Sequence, residues 1–135
     1  MIFVDSGYLI ALLDRSDQHH EVARAWARVV TEELVTTSFV FAEFFNYFSG
    51  GSLRLDAHRF CDLLDSKSGF TSLSVDASLY ERGRTLHRHR SDKAWSLTDC
   101  ISFTVMGDHH ITRALAYDHH FEQAGFESLL RRSPP

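Results

Sequence analysis

Four carboxylates in this chain are attached to apolar scaffold rather than to charged surface: Asp5, Glu43, Asp99 and Asp118. Glu43 is the most isolated of them. It stands within Phe39-Val40-Phe41-Ala42-Glu43-Phe44-Phe45-Asn46-Tyr47-Phe48, and no Lys or Arg occurs between Arg28 and Arg54. A helix apolar on every side reads as buried, and a lone carboxylate in it is costly unless something pairs with it. Desolvation alone would neutralise the group, whereas a bound cation would keep it charged. Asn46, three residues on, shares the helical face and would share the partner.

The elements that must position these acids follow from periodicity and punctuation. The apolar run 1–4 reads as a buried strand that stops at Asp5-Ser6-Gly7, with a short helix over 8–13 after it. Val22, Ala25, Trp26, Val29 and Val30 keep helical spacing within a longer helix over 18–33. Residues 34–37 form a second strand that leads into the Glu43 helix, which Gly50-Gly51 terminates. A helix over 53–64, a strand over 70–75 and a helix over 76–87 with Asp76 as N-cap come next. A polar loop over 88–94 precedes the apolar helix that opens at Ser96-Leu97-Thr98-Asp99 and runs to Met106. A fourth strand over 110–116 and a short fifth over 126–130 complete the domain, and 131–135 reads as a frayed tail. Strands alternating with helices predict a mainly parallel four- to five-stranded sheet in a three-layer α/β/α sandwich, one domain over 1–130.

Open parallel sheets bind ligands outside the carboxyl ends of their strands. Asp5 follows the first strand, Asp118 follows the fourth, Asp99 opens the preceding helix, and Glu43 lies early in the helix after the second strand. Topology therefore predicts that all four converge. Clustered carboxylates repel unless a cation sits between them, and magnesium takes oxygen ligands of this kind. Such an ion generates a hydroxide nucleophile and neutralises charge on a phosphodiester. No glycine-rich phosphate loop is present, because Gly50-Gly51 lacks the Gly-Lys-Ser/Thr ending. Each acid also has a plainer reading. Asp5 would cap a helix, Ser96 and Asp99 would form a capping box, Asp118 would serve a turn, and Glu43 would be a satisfied core carboxylate.

The segments Ile2-Phe3-Val4-Asp5-Ser6, Thr37-Ser38-Phe39-Val40-Phe41-Ala42-Glu43, Trp95-Ser96-Leu97-Thr98-Asp99-Cys100-Ile101-Ser102-Phe103 and Ala116-Tyr117-Asp118-His119-His120-Phe121 resemble the PIN domain. The likeness is strongest to the small single-domain ribonucleases, including VapC-type toxins, and it covers Ile2 to about Phe126. It implies a magnesium- or manganese-dependent endoribonuclease, a cognate antitoxin and a homodimer. It maps the metal and catalytic acids to Asp5, Glu43, Asp99 and Asp118. Ser6, Asn46, Ser96 and Thr98 become supporting hydrogen-bonders, with water as nucleophile. Ala116 stands where the family often carries a hydroxyl residue.

Composition bounds the substrate side. The chain has 135 residues, 44% of them apolar and 24% charged, with a net charge of −4, so it is globular and not broadly basic. No run approaches the ~18 apolar residues of a membrane span. The early Asp5 leaves no room for a secretory signal, so the cytoplasm is expected. Cys61 and Cys100 read as reduced, packed thiols. Arg82, Arg84, His87, Arg88, His89, Arg90 and Lys93 form the one dense basic segment. Arg84, Arg88, Arg90 and Lys93 from this segment, with Arg113 beyond it, are the candidates for RNA phosphates. The plainer reading is a helix C-terminus whose bases complement its dipole. The pairs His19-His20, His109-His110 and His119-His120 suggest zinc, but adjacent side chains point apart. Concentrated aromatics over 41–48 predict an apolar groove between that helix and the 8–13 helix, suited to an antitoxin segment.

Other classes fit less well. A receiver-type phosphate acceptor wants a second acid before its first helix, where Ser6 and Gly7 stand, and a late lysine, yet none follows Lys93. An aspartyl-nucleophile phosphohydrolase wants an Asp where Gly7 stands. The remaining alternative is a non-catalytic PIN-type scaffold binding RNA or protein.

Overall fold

Short strands, each entering or following a helix, build one all-parallel sheet in the computed structural model, which describes all 135 residues. The chain runs through β1 (Ile2–Val4), α1 (Ser6–Leu13), α2 (His20–Val29), β2 (Leu34–Thr37), α3 (Ser38–Tyr47) and α4 (Arg54–Asp65). It continues through β3 (Phe70–Leu73), α5 (Ala77–His89), α6 (Leu97–Asp108), β4 (Arg113–Leu115), α7 (His120–Gln123) and β5 (Glu127–Ser128). A 3₁₀ turn over Leu129–Arg131 follows. The strand order is β3-β2-β1-β4-β5, and helices cover the sheet on both faces, the expected α/β/α sandwich.

That order has a consequence for binding. The chain builds outward from β1 through β2 to β3, then returns to place β4 on the other side of β1. Reversal of strand order opens a crevice at the carboxyl ends of β1 and β4, where doubly wound sheets take their ligands. Phe3 pairs with Ala114 and Val4 with Leu115, so the exits of these two strands are level.

Burial explains why the strands are continuous apolar runs rather than alternating ones. Ile2, Phe3 and Val4 are all fully buried. Phe3, Phe44 and Phe121 are the largest fully buried side chains, each stabilising the fold by about 1.5–3 kcal/mol. The Thr36 hydroxyl sits wholly inside because it donates to the Val4 carbonyl at 2.7 Å.

Local rules set most helix starts. Asp76 accepts from the Leu79 N–H at 2.8 Å as the expected N-cap of α5. Thr37 accepts from Val40 N–H at the start of α3. Other boundaries differ from the sequence reading. The helix expected over 18–33 covers only His20–Val29, because Asp17 turns the chain before it: the His20 N–H donates to the Asp17 carbonyl. The helix before the polar loop extends to His89, so the basic residues lie on its last turns. His110, expected in a strand, instead closes α6 with φ 54°, and the next N–H, of Ile111, reaches back to the Met106 carbonyl. This is a left-handed cap whose hydrophobic follower, Ile111, is buried. The short helix α7 was not anticipated.

Two further expectations are corrected. The Glu43 helix is not buried all round, since Ala42, Asn46 and Tyr47 face outward. The apolar space against α1 is walled by α2 and α4 rather than by α3. This part-enclosed cavity of 360 Å³ lies where Leu12 of α1, Ala27 of α2 and Phe60 of α4 meet the amino ends of β2 and β3. At the carboxy end, the Trp26 indole N–H donates to the Arg132 carbonyl at 2.8 Å, and Arg131 pairs with Glu122. No helix is long and apolar enough to cross a membrane.

Candidate active site

The crevice between β1 and β4 collects the four acids. Asp5, 8% exposed, is the first residue past β1, and its backbone N–H donates to the Leu115 carbonyl of β4 at 3.2 Å. Its side chain makes no capping bond to α1, so the plainer capping reading does not describe it. Glu43 comes from the second turn of α3 and is half-buried. The Ser6 hydroxyl donates to Glu43 Oε1 at 2.9 Å, joining the start of α1 to α3. The Thr98 hydroxyl also favours the Glu43 carboxylate.

Asp99, 7% exposed, is held in a capping box. The Ser96 N–H donates to Asp99 Oδ2 at 3.0 Å, and the Asp99 N–H donates to Ser96 Oγ at 3.0 Å. This reading and a metal role coexist, because Oδ1 has no protein donor. Asp118 follows β4, and its Oδ1 accepts from the His120 N–H at 2.8 Å. His120 Nδ1 lies 3.1 Å from Asp99 Oδ2 and 3.8 Å from Asp118 Oδ2.

Electrostatics show how close the acids are. Burial pushes the Asp5 carboxyl well above its usual range, and the charges of Asp99, Asp118 and Glu43 push it further. Only the Ser6 backbone N–H opposes them. Glu43 is raised, first by burial and then by Asp99 and Asp118, against the hydrogen bond from Ser6. Asp99 is raised by burial and by Asp118, against Ser96 and His120. No Lys or Arg forms an ion pair with any of the four. The ligand atoms of Asp99, Asp118 and His120 lie within 4.8 Å of one another. A buried carboxylate surrounded by others, with no basic partner, suits a hard divalent cation with oxygen ligands.

The supporting and substrate residues divide. Ser6, Ser96 and Thr98 contact the acids as described. Asn46 is exposed and donates to none of them. Arg84 pairs with Glu81 at 3.1 Å, and Arg90 pairs with Asp92 at 3.0 Å while lying 4.8 Å over the Trp95 ring. Arg88 and Lys93 form no ion pair. Arg113 does not belong to the cluster: it begins β4, at the opposite end of the sheet, and pairs with Glu32 at 3.0 Å. His120 is the residue that the sequence reading left out of its site. The sign of it is the Asp118-His119-His120-Phe121 run, whose paired histidines the sequence reading considers for zinc.

Comparisons with known proteins identify the family and the fold. The sequence model of the PIN domain matches residues 2–127. The structure of Mycobacterium tuberculosis VapC20, described as a sarcin-ricin loop cleaving toxin, superposes with a TM-score of 0.86 at 25% identity. That match covers 93% of this chain and 96% of that one. FitAcB from Neisseria gonorrhoeae shares the fold, with a TM-score of 0.65 at 18% identity over 95% of this chain and 96% of that one. No curated protein sequence matches. With a match that runs from the first strand to the fifth, the chain belongs to the PIN domain family.

Proposed function

We propose that the protein is a divalent-metal-dependent endoribonuclease and the toxin of a toxin–antitoxin pair. One observation carries the reading: Asp5 is a buried carboxylate with no cationic partner, facing the charges of Asp99, Asp118 and Glu43 at the switch point of the sheet. A folded protein keeps such a group when a cation completes it. Asp5, Glu43, Asp99 and Asp118 would hold magnesium or manganese. Bound there, the ion supplies an activated water and neutralises phosphodiester charge.

The chain's own residues do the rest. Ser6 and Thr98 hydrogen-bond Glu43 and would orient its carboxylate within the cluster. The capping box fixes Asp99 against the start of α6, and the N-terminal end of that helix favours the anionic backbone of RNA. Arg88 and Lys93, free of ion pairs, contribute sequence-independent phosphate binding, and Arg84 and Arg90 exchange Glu81 and Asp92 for phosphate on contact. The likeness to a toxin described as cleaving a sarcin-ricin loop supports a structured RNA substrate. A cognate antitoxin and a homodimer belong to the same reading. Exposed Tyr47, Leu55 and Leu63 on α3 and α4 supply apolar surface for such contacts.

The test is cleavage of a mixed pool of structured cellular RNAs by the purified chain, with magnesium or manganese and with chelator. Discrete metal-dependent fragments, lost in Asp5→Asn and Glu43→Gln, are the expected result. Metal binding without cleavage of any RNA in the pool, or cleavage that survives both substitutions, would overturn the assignment.

A further inference from the structure

We propose that His120 is a positioning residue for the metal site, holding Asp99 and Asp118 so that each presents one free oxygen to the cation. The inference rests on the metal-site reading above and assigns a role to a residue outside the four acids.

The geometry divides the oxygens of the two carboxylates. Asp99 Oδ2 accepts from the Ser96 N–H at 3.0 Å and lies 3.1 Å from His120 Nδ1. Asp118 Oδ1 accepts from the His120 N–H at 2.8 Å. Asp99 Oδ1 and Asp118 Oδ2 have no protein donor within hydrogen-bond distance, and His120 Nδ1 lies 3.8 Å from Asp118 Oδ2. One histidine therefore grips both acids, through its backbone on one and its ring on the other. The backbone bond needs no particular side chain. The ring bond does, because it spans 21 positions of sequence and joins the β4–α7 loop to the head of α6.

The ring is well placed to act as a clamp. Its side chain is 22% exposed, and the next residue, Phe121, is fully buried between Phe3 and Phe103. That anchor fixes the backbone from which the imidazole projects. Nδ1 donates in the neutral tautomer that carries its proton and equally in the imidazolium, so the role does not depend on titration of the ring. A nitrogen that donates to Asp99 has no lone pair for the metal, so Nδ1 acts through the carboxylates. Nε2 is likewise assigned no bond to the ion, which the ¹⁴N measurement below tests. Partners of this kind, behind the ligands, change metal affinity by about 10–100-fold when removed.

The test measures manganese binding by the full-length chain, following free Mn²⁺ by electron paramagnetic resonance. Melting in chelator accompanies it, so that loss of fold is separated from loss of metal. His120→Ala is expected to weaken binding by about 10–100-fold. His120→Asn, whose amide nitrogen falls near the position of Nδ1, should recover most of it. His120→Gln, whose amide falls near Nε2, should not, and it replaces the alanine variant if that chain does not fold. Bound manganese in the wild type should show no coupling to ¹⁴N. Unchanged affinity in His120→Ala, or equal weakness of Asn and Ala, would overturn the inference while leaving the metal site intact. Coupling to ¹⁴N would overturn it by making the ring a ligand. No manganese uptake by the wild type would overturn this inference and the metal-site reading together.

Discussion

Replacing Asp118 by asparagine should make the metal-free protein more stable while abolishing its response to metal. The substitution is close to isosteric, and the asparagine carbonyl still accepts from the His120 N–H, so the turn into α7 survives. What is lost is one charge facing Asp99, with the ligand atoms of the two within 4.8 Å of each other. Coulomb's law at 4.8 Å gives ~3.5 kcal/mol of repulsion at an effective dielectric near 20, and ~0.9 kcal/mol in water. The Asp118 side chain is 35% exposed, so solvent screening moves the expected gain toward the lower figure, about 1–2 kcal/mol. For a domain of this size that is a rise of roughly 3–8 °C in Tm. The assay is thermal unfolding at neutral pH, in chelator and then with manganese. The account expects a higher Tm than the wild type in chelator and no further rise with metal. A lower Tm in chelator would mean that the Asp118 charge is satisfied within the protein, and the argument from repulsion would fail.

The raised carboxyls of Asp5, Glu43 and Asp99 make a prediction about pH. Each holds its proton in the folded state at pH values where the unfolded chain has released it, so folding takes up protons there. Their contribution to stability is full below the ordinary values of 3.8 and 4.5 and is lost as pH rises through the folded values. Urea unfolding across that range, in chelator, should show Asp5→Asn losing part of this decline relative to the wild type; parallel curves would contradict it. Helix packing gives a paired test. A Cβ at Gly83 would come 2.4 Å from Ile101 Cγ1 across the α5–α6 contact, whereas a Cβ at Gly107 meets nothing within 4 Å. Gly107→Ala should stabilise by about 0.5–1 kcal/mol, and Gly83→Ala should lose by overpacking (about 1–3 kcal/mol) more than it gains from helix propensity. Denaturant midpoints check the order, and equal effects would refute it. Burial pushes the Cys61 thiol up to about 12 and Cys100 up to about 11, so neither should react with alkylating reagents until the chain is unfolded. Rapid native-state labelling, read by mass spectrometry, would refute that.

Local chemistry was the most legible layer of the sequence. Asp76 and the Ser96–Asp99 box are recognisable because an N-cap is a matter of residue type and a spacing of three. The alternation of strands and helices carried the parallel sheet, and with it the strand ends at which Asp5 and Asp118 lie. Features that depend on distant partners were harder to read. The basic segment looked like free positive charge, but Arg82 pairs with Asp108 across two helices, and no spacing rule couples positions 26 apart. Arg113 reads as a phosphate-binding candidate, yet it begins β4 while Asp118 lies beyond that strand's end. A strand carries its first and last residues to opposite ends of the sheet, so nearness in sequence does not bring the two together. The Glu43 helix was read as buried on every side because its aromatic content is high. Composition does not say which turn faces outward, and Asn46 and Tyr47 do. His110 is expected to open the fourth strand, but the helix before it closes through this residue in a left-handed conformation that usually falls to Gly or Asn.

The most direct test of the account is a crystal of the protein soaked in manganese and measured by anomalous diffraction. The account predicts an anomalous peak within coordination reach of the Asp5 and Asp99 carboxylates, with Asp118 beside it, and loss of that peak in Asp5→Asn. A well-ordered wild-type crystal at high manganese concentration with no peak in the crevice between β1 and β4 would contradict it.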